Sequence, residues 1–153
     1  WLGNDGVDVL EGIERLIFTD QAVAFDSSGN AGKAYRIYQA AFDRTPDAAG
    51  LGYWMSRMDS GLSLEQVAQG FLGSTEFRVL YGSNPSASTF VSKLYFNVLH
   101  RTPETSGYNY WNSLINTGKI NKAQALAEFS ESTENQIQVA GAIQQGMVYD
   151  LYE

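Results

Sequence analysis

Cysteine is missing from the 153 residues of this chain, and proline occurs only three times and histidine once. The absent thiols exclude disulfides, thiolate metal sites and a cysteine nucleophile, and they leave the redox compartment open. Long apolar runs are missing too, since no stretch approaches the ~18 residues that would mark a membrane span. Basic charge is scarce: 10 Lys and Arg stand against 17 Asp and Glu, for a net charge of −7. Such a chain repels phosphate backbones, so nucleic acid is not an expected partner. Trp1 is neither an initiator methionine nor the start of a basic and then apolar leader. The chain is therefore expected to be a segment of a longer protein, with its targeting signal outside it.

What the chain does contain is a duplication. Arg44-Thr45-Pro46-Asp47-x-x-Gly50-x-x-Tyr53-Trp54 returns as Arg101-Thr102-Pro103-Glu104-x-x-Gly107-x-x-Tyr110-Trp111, every position displaced by 57 residues (101 minus 44). A fixed displacement means one supersecondary unit used twice, each copy covering an apolar face that the other could not bury alone. With 44% apolar residues, a chain of this length buries about two thirds of its unfolded surface and needs no covalent staple.

From about Lys33 the apolar period is helical. Ala34, Ile37, Tyr38, Ala41 and Phe42 share one face, as do Val91, Leu94, Tyr95, Val98 and Leu99 in the second copy. Thr45-Pro46-Asp47 and Thr102-Pro103-Glu104 read as helix starts, with the hydroxyl as N-cap, proline in the first turn and an acid facing the positive helix end. The second helices bury Leu51, Trp54, Met55 and Met58 in one copy and Tyr108, Trp111 and Ile115 in the other, and end at Gly61 and Gly118. One inserted residue then makes the displacement 58 (121 minus 63). Ser63-x-x-Gln66 and Asn121-x-x-Gln124 are capping boxes that open third helices. These bury Val67, Ala68 and Phe71 or Ala125, Leu126 and Phe129. Ser74-Thr75-Glu76 and Ser132-Thr133-Glu134 open fourth helices, the first short before Gly82 and the second reaching Gln144.

The first quarter differs. Val7–Leu10, Ile13–Phe18 and Ala22–Phe25 are β-prone runs broken by Gly12 and Thr19-Asp20-Gln21, which predicts two or three short strands. The loop Asp26-Ser27-Ser28-Gly29-Asn30 sets the boundary. The expected fold is mainly α: two tandem pseudo-symmetric helical repeats in one bundle, unit one over 31–82 and unit two over 87–147 within 31–153, preceded over 1–30 by a β hairpin or β-roll-like cap.

The pattern Tyr38-x-x-x-Phe42-Asp43-Arg44-Thr45-Pro46-Asp47-Ala48-Ala49-Gly50-Leu51-x-Tyr53-Trp54, followed by Phe71 and Ser74-x-Glu76-Phe77, resembles the domain of unknown function 4214 family. That family is a helical repeat domain of bacterial S-layer-like proteins and of RTX-type calcium-dependent exoproteins, distantly like phycobilisome linker domains. The segment Gly6 to Asp20 is similar to the end of an RTX β-roll. Together the resemblances imply a secreted or cell-surface bacterial protein exported by type I secretion. Unit two departs from the pattern at His100, Thr105, Ser106, Tyr108 and Asn135.

Candidate chemistry is sparse. Asp5 and Asp8, in and beside the turn Gly3-Asn4-Asp5-Gly6, and Asp26 are candidate calcium ligands; the competing readings are a polar turn and an Asx turn that leads into the first helix. Tyr53 and Tyr110 are candidate glycan-binding platforms. Trp54 and Trp111 fall at helical spacing with apolar neighbours and read as core. Arg44 and Arg101 are expected to satisfy carbonyls where the first helices end, with Pro46, Gly50, Pro103 and Gly107 shaping the turns. His100 lacks a carboxylate or hydroxyl partner that would make it a general base, and no complete catalytic set can be assembled. The expectation is a non-catalytic extracellular module for surface association, adhesion or assembly, partnered by other surface or secreted modules or by surface glycans. The alternatives are a carbohydrate-binding module of an exported enzyme and a folding and secretion tail.

Overall fold

The computed structural model describes residues 12–152. The elements run β1 (Arg15–Ile17), β2 (Ala22–Ala24), α1 (Asn30–Phe42), α2 (Ala48–Asp59), α3 (Leu64–Leu72), α4 (Thr75–Tyr81), α5 (Ala87–Leu99), α6 (Thr105–Asn116), α7 (Lys122–Ser130), α8 (Thr133–Ile143) and β3 (Met147–Tyr149). The fold is mainly helical, and the duplication is visible as two matched sets, α1–α4 and α5–α8. Because α1 packs on α5 and α7, and α3 packs on α7, both units share one interior. Ile37, Val67, Val91, Leu94, Val98 and Leu126 are all fully buried there.

Local chemistry explains the matched ends. Helix α2 closes at Gly61 (φ +103°) and α6 at Gly118 (φ +69°). In each, the glycine N–H reaches back to Met58 or Ile115 and the next N–H to Arg57 or Leu114, the paired bonds of a Schellman ending that favours glycine at the left-handed position. The capping boxes at Ser63 and Asn121 are both closed. Helices α1 and α5 end on left-handed Asp43 (φ 52°) and His100 (φ 51°). Both residue types are enriched in that backbone region, which accounts for the exchange of an acid for an imidazole between the copies.

The helix starts after the prolines differ from expectation. Neither Thr45 nor Thr102 is the N-cap; Asp47 and Glu104 are. The Asp47 carboxylate accepts from the Gly50 N–H at 2.7 Å, whereas Glu104 turns to Arg101 and makes no cap bond. A carboxylate suits the positive end of a helix as a hydroxyl does, and moving the cap by two residues leaves each proline just outside the helix.

The β piece also departs from a purely N-terminal cap. β1 pairs antiparallel with β2, as the expected hairpin requires, but β2 pairs antiparallel with β3 from the far end of the chain. A boundary at residue 30 therefore cuts through the contents of one sheet. Val7–Leu10 lies outside the described residues. The sheet is fastened to unit one by Arg15, which contacts Asp59 at 2.5 Å and Asp26 at 3.3 Å. β3 packs on α2, and the Asp150 N–H donates to the Ala48 carbonyl at 3.0 Å. Gly52 makes this approach possible, because a Cβ there would stand 1.9 Å from the Asp150 carbonyl oxygen.

β3 and the residues after it thus form a roof over α2, and this roof makes the two units differ. α2 buries Leu51, Met55 and Met58, while α6 has no buried residue at all. Tyr108, Trp111 and Ile115 are only half-buried against the core, contrary to their predicted burial, because among the described residues no strand covers α6. Trp54 is also half-buried rather than enclosed. The indoles sit in equivalent places at the rim, Trp54 edge-on to Phe71 at 4.9 Å and Trp111 tilted on Phe129 at 4.8 Å.

One ion pair, with its arginine buried and its carboxylate partly exposed, ties the units together. Arg36 on α1 is 4% exposed and forks onto Glu131, just past α7, at 2.7 and 2.8 Å, with a third bond to the Ser27 carbonyl at 2.7 Å. The matching residue in unit two, Lys93 (36 plus 57), forms no ion pair among the described residues.

Candidate functional site

The duplicated motif folds into two copies of one polar cluster. In unit one, Arg44 leaves α1 and forks onto Glu76 at 2.7 and 3.0 Å, so the end of α1 is bolted to the start of α4. The same guanidinium donates to the Tyr38 hydroxyl at 2.9 Å and lies 4.9 Å over its ring. Tyr38 in turn donates to Asp47 at 3.1 Å. Unit two repeats this with Arg101 on Glu134 at 2.7 and 3.0 Å, on Glu104 at 2.6 Å, and over Tyr95 at 5.0 Å. The arginines thus bind carboxylates and the carbonyl of the residue that follows them, not the helix-end carbonyls that the sequence led us to expect; a planar fork matches a carboxylate better than scattered carbonyls do. The motif glycines have the same origin. A Cβ on Gly50 would meet Tyr38 at 3.0 Å, and one on Gly107 would meet the Tyr95 hydroxyl at 2.3 Å.

The electrostatics follow from these bonds. The Gly50 N–H holds the Asp47 carboxyl below the usual carboxylate range, and Arg101 holds both Glu104 and Glu134 below it. Arg15 does the same to Asp59. Burial raises the Tyr38 and Tyr95 hydroxyls, and pushes Tyr81 up to about 12. Every carboxylate in the two clusters faces an arginine, a tyrosine hydroxyl or a helix N–H. The arrangement is suited to holding loops, and it presents no activated nucleophile or proton acceptor.

The other candidates scatter. Tyr53 is half-buried between Trp54 and Tyr152, each ring 4.9 Å away, while Tyr110 is 59% exposed and touches Trp111 at 5.6 Å. The two tyrosines thus stand in unlike surroundings. Asp5 and Asp8 lie outside the described residues. Asp26 accepts from Arg15 and from the Ala31 N–H at 3.1 Å, as an Asx-type lead into α1 would. Among the described residues no group of three or more His, Cys, Asp or Glu side chains is placed to hold a metal ion. His100 lines a cleft with Tyr35, Gln39 and Gln138.

A surface that sequence reading missed is the outer face of the sheet. Leu16, Val23 and Val148 are in register across the three strands, opposite the buried Ala22, Ala24, Met147 and Tyr149. Phe18 and Phe25, two residues beyond Leu16 and Val23, are 51% and 40% exposed, and Val148 is 50% exposed. An antiparallel sheet with one wet face is normally polar on that face; this one is apolar on both. The signal was the unbroken run Leu16-Ile17-Phe18, which alternation alone does not produce.

The fold and the twin clusters together define a duplicated helical domain whose repeats are joined through one core. The chain belongs to the family described as Domain of unknown function (DUF4214), whose family model matches residues 30–80 and 68–139. No curated protein and no solved structure matches this chain. No helix among the described residues is long and apolar enough to cross a membrane.

Proposed function

We propose that this chain is a non-catalytic interaction module of a secreted or cell-surface bacterial protein, serving surface association or assembly by seating another protein module on the outer face of its β1–β2–β3 sheet. The observation that carries the reading is that row of Leu16, Val23 and Val148 flanked by Phe18 and Phe25. Leu16 and Val23 are half-buried and Val148, Phe18 and Phe25 exposed; apolar patches of this kind mark protein contacts, and aromatic side chains anchor them. The resemblance of the helical motif to S-layer-like and RTX exoprotein domains, taken together with that of Gly6 to Asp20 to the end of an RTX β-roll, supports an extracellular setting and type I export. A photo-cross-linker at Val23 in the full-length parent should capture a surface or secreted protein, and the double change Phe18→Ser with Val148→Thr should abolish capture while leaving the helical signal intact. Capture unchanged by that double change, or parent protein confined to the cytoplasm, defeats the proposal.

A second reading, glycan binding, draws support from Tyr110, whose ring is 59% exposed on α6 beside Trp111. Tyr53 does not add to it, because its ring packs between Trp54 and Tyr152.

A further inference from the structure

Between α4, α5 and the turn after α5 lies a cleft of about 560 Å³ lined by Leu80, Phe96, Lys93, Asn97 and Thr102 among others, a volume typical of small-molecule sites. The duplication supplies its control. Unit one has a corresponding cleft of about 450 Å³ between α8, α1 and the turn after α1. There Gln138 stands for Leu80 (80 plus 58), Gln39 for Phe96 and Tyr35 for Ser92 (96 and 92 minus 57), while Thr45 matches Thr102. One frame therefore carries two linings.

The lining of this cleft differs from its twin at Phe96 and at Lys93. Phe96 is 66% exposed, where its counterpart is an amide. Lys93 donates to the Leu80 carbonyl and stands 5.7 Å from the centre of the Tyr81 ring, so its charge has no carboxylate partner among the described residues and two of its three donors make no hydrogen bond there. The equivalent Arg36 is neutralised by Glu131. No carboxylate lines the cleft, although the chain as a whole is acidic. The other cation there, Arg101, is already matched by Glu104 and Glu134. The Ser92 and Thr102 hydroxyls and the Asn97 side-chain oxygen make no hydrogen bond among the described residues; the Thr102 carbonyl accepts from Arg101 at 3.3 Å, and the Asn97 amide N–H donates to Tyr81 at 3.3 Å.

The geometry points to a site for an acidic sugar, a pyranose ring carrying a carboxylate. Its apolar face stacks on Phe96 beside Leu80 and Pro103, as sugar faces do on aromatic rings. Its carboxylate meets the unmatched Lys93 ammonium, a charge-assisted bond, and its hydroxyls meet Ser92, Thr102 and Asn97. The twin cleft, with no lysine or arginine in its lining and Tyr35, its one benzene ring, buried, does not take this ligand. This site is separate from the sheet face, and either can fail without the other.

The test titrates the intact chain with a uronic-acid oligosaccharide, its neutral hexose analogue and benzoate, following amide shifts by NMR. The uronic oligomer should move resonances around Phe96 and Lys93, and at least tenfold more weakly in Phe96→Gln, which copies unit one at an exposed position. Lys93→Gln should erase its preference over the neutral sugar. Absence of binding, equal binding of the neutral sugar by the unaltered chain, benzoate binding as tight as the sugar, or titrations untouched by Phe96→Gln would each overturn the assignment.

Discussion

Units one and two share a frame, yet α2 is roofed by β3 and the residues after it while α6 lies open. The difference traces to single positions. Gly52 lets the Asp150 carbonyl come against α2, and its counterpart is Asn109, exposed on α6. Arg36 is buried in a fork with Glu131, and its counterpart Lys93 lines a cleft. The duplicated motif preserves what each copy needs to fold, namely the arginine, the tyrosine hydroxyl and the glycine that makes room for it. Faces outside that motif have diverged, and the divergence distinguishes structural positions from those open to new use.

The sharpest way to break the comparison is at the inter-unit pair. Glu131→Ala leaves a guanidinium buried without a counter-charge and should cost about 3–5 kcal/mol. Lys93→Ala, at the matching place in the other unit, should cost within about 1 kcal/mol. Urea unfolding of the two variants side by side checks this, and equal losses would mean that the pair does not join the units.

Next comes the roof. Gly52→Ala forces the Asp150 carbonyl away and should destabilise by about 2 kcal/mol, with earlier proteolysis after Ile143. Asn109→Ala should stay within about 0.5 kcal/mol, as uncovered positions do. Limited proteolysis with thermal melts separates these outcomes, and a fully stable Gly52→Ala would show that β3 is not seated by close contact.

The smallest effect lies in the acid limb. Asp47, Asp59, Glu104 and Glu134 are all held below the usual carboxylate range. Their stabilisation is complete above the unfolded value of about 4 and disappears as pH falls through the lower folded values, so stability should drop on acidification below about pH 4. Arg101 depresses two of these groups, whereas Asp47 depends chiefly on the Gly50 N–H. Arg101→Met should therefore flatten the acid limb more than Arg44→Met does. The readout is the midpoint of acid unfolding, and identical limbs in both variants would contradict the assignment of causes.

Much of this architecture was legible because it is written locally. The 57-residue echo, the capping boxes at Ser63 and Asn121 and the glycines at Gly61 and Gly118 each act within a few residues of themselves. The true N-caps were less legible, since a Thr-Pro-Asp string offers two oxygens at nearby positions and only the orientation of the Gly50 N–H selects between them. The partners of Arg44 and Arg101 lie 32 and 33 residues away, beyond any local pattern. Of the candidate site residues, Tyr53 and Tyr110 read alike along the chain, and only the tail packed on α2 makes them differ.

By itself, the amino-acid order determined the helical class, the number of units and where most helices stop, because periodicity, caps and left-handed turns are short-range effects. Tertiary structure alone decided that the last strand returns to β2, that one unit is covered and the other is not, and that Arg36 meets Glu131. Those outcomes depend on which surfaces remain apolar or charged after the helices have packed, and the choice among distant partners is made only when the shared core excludes water.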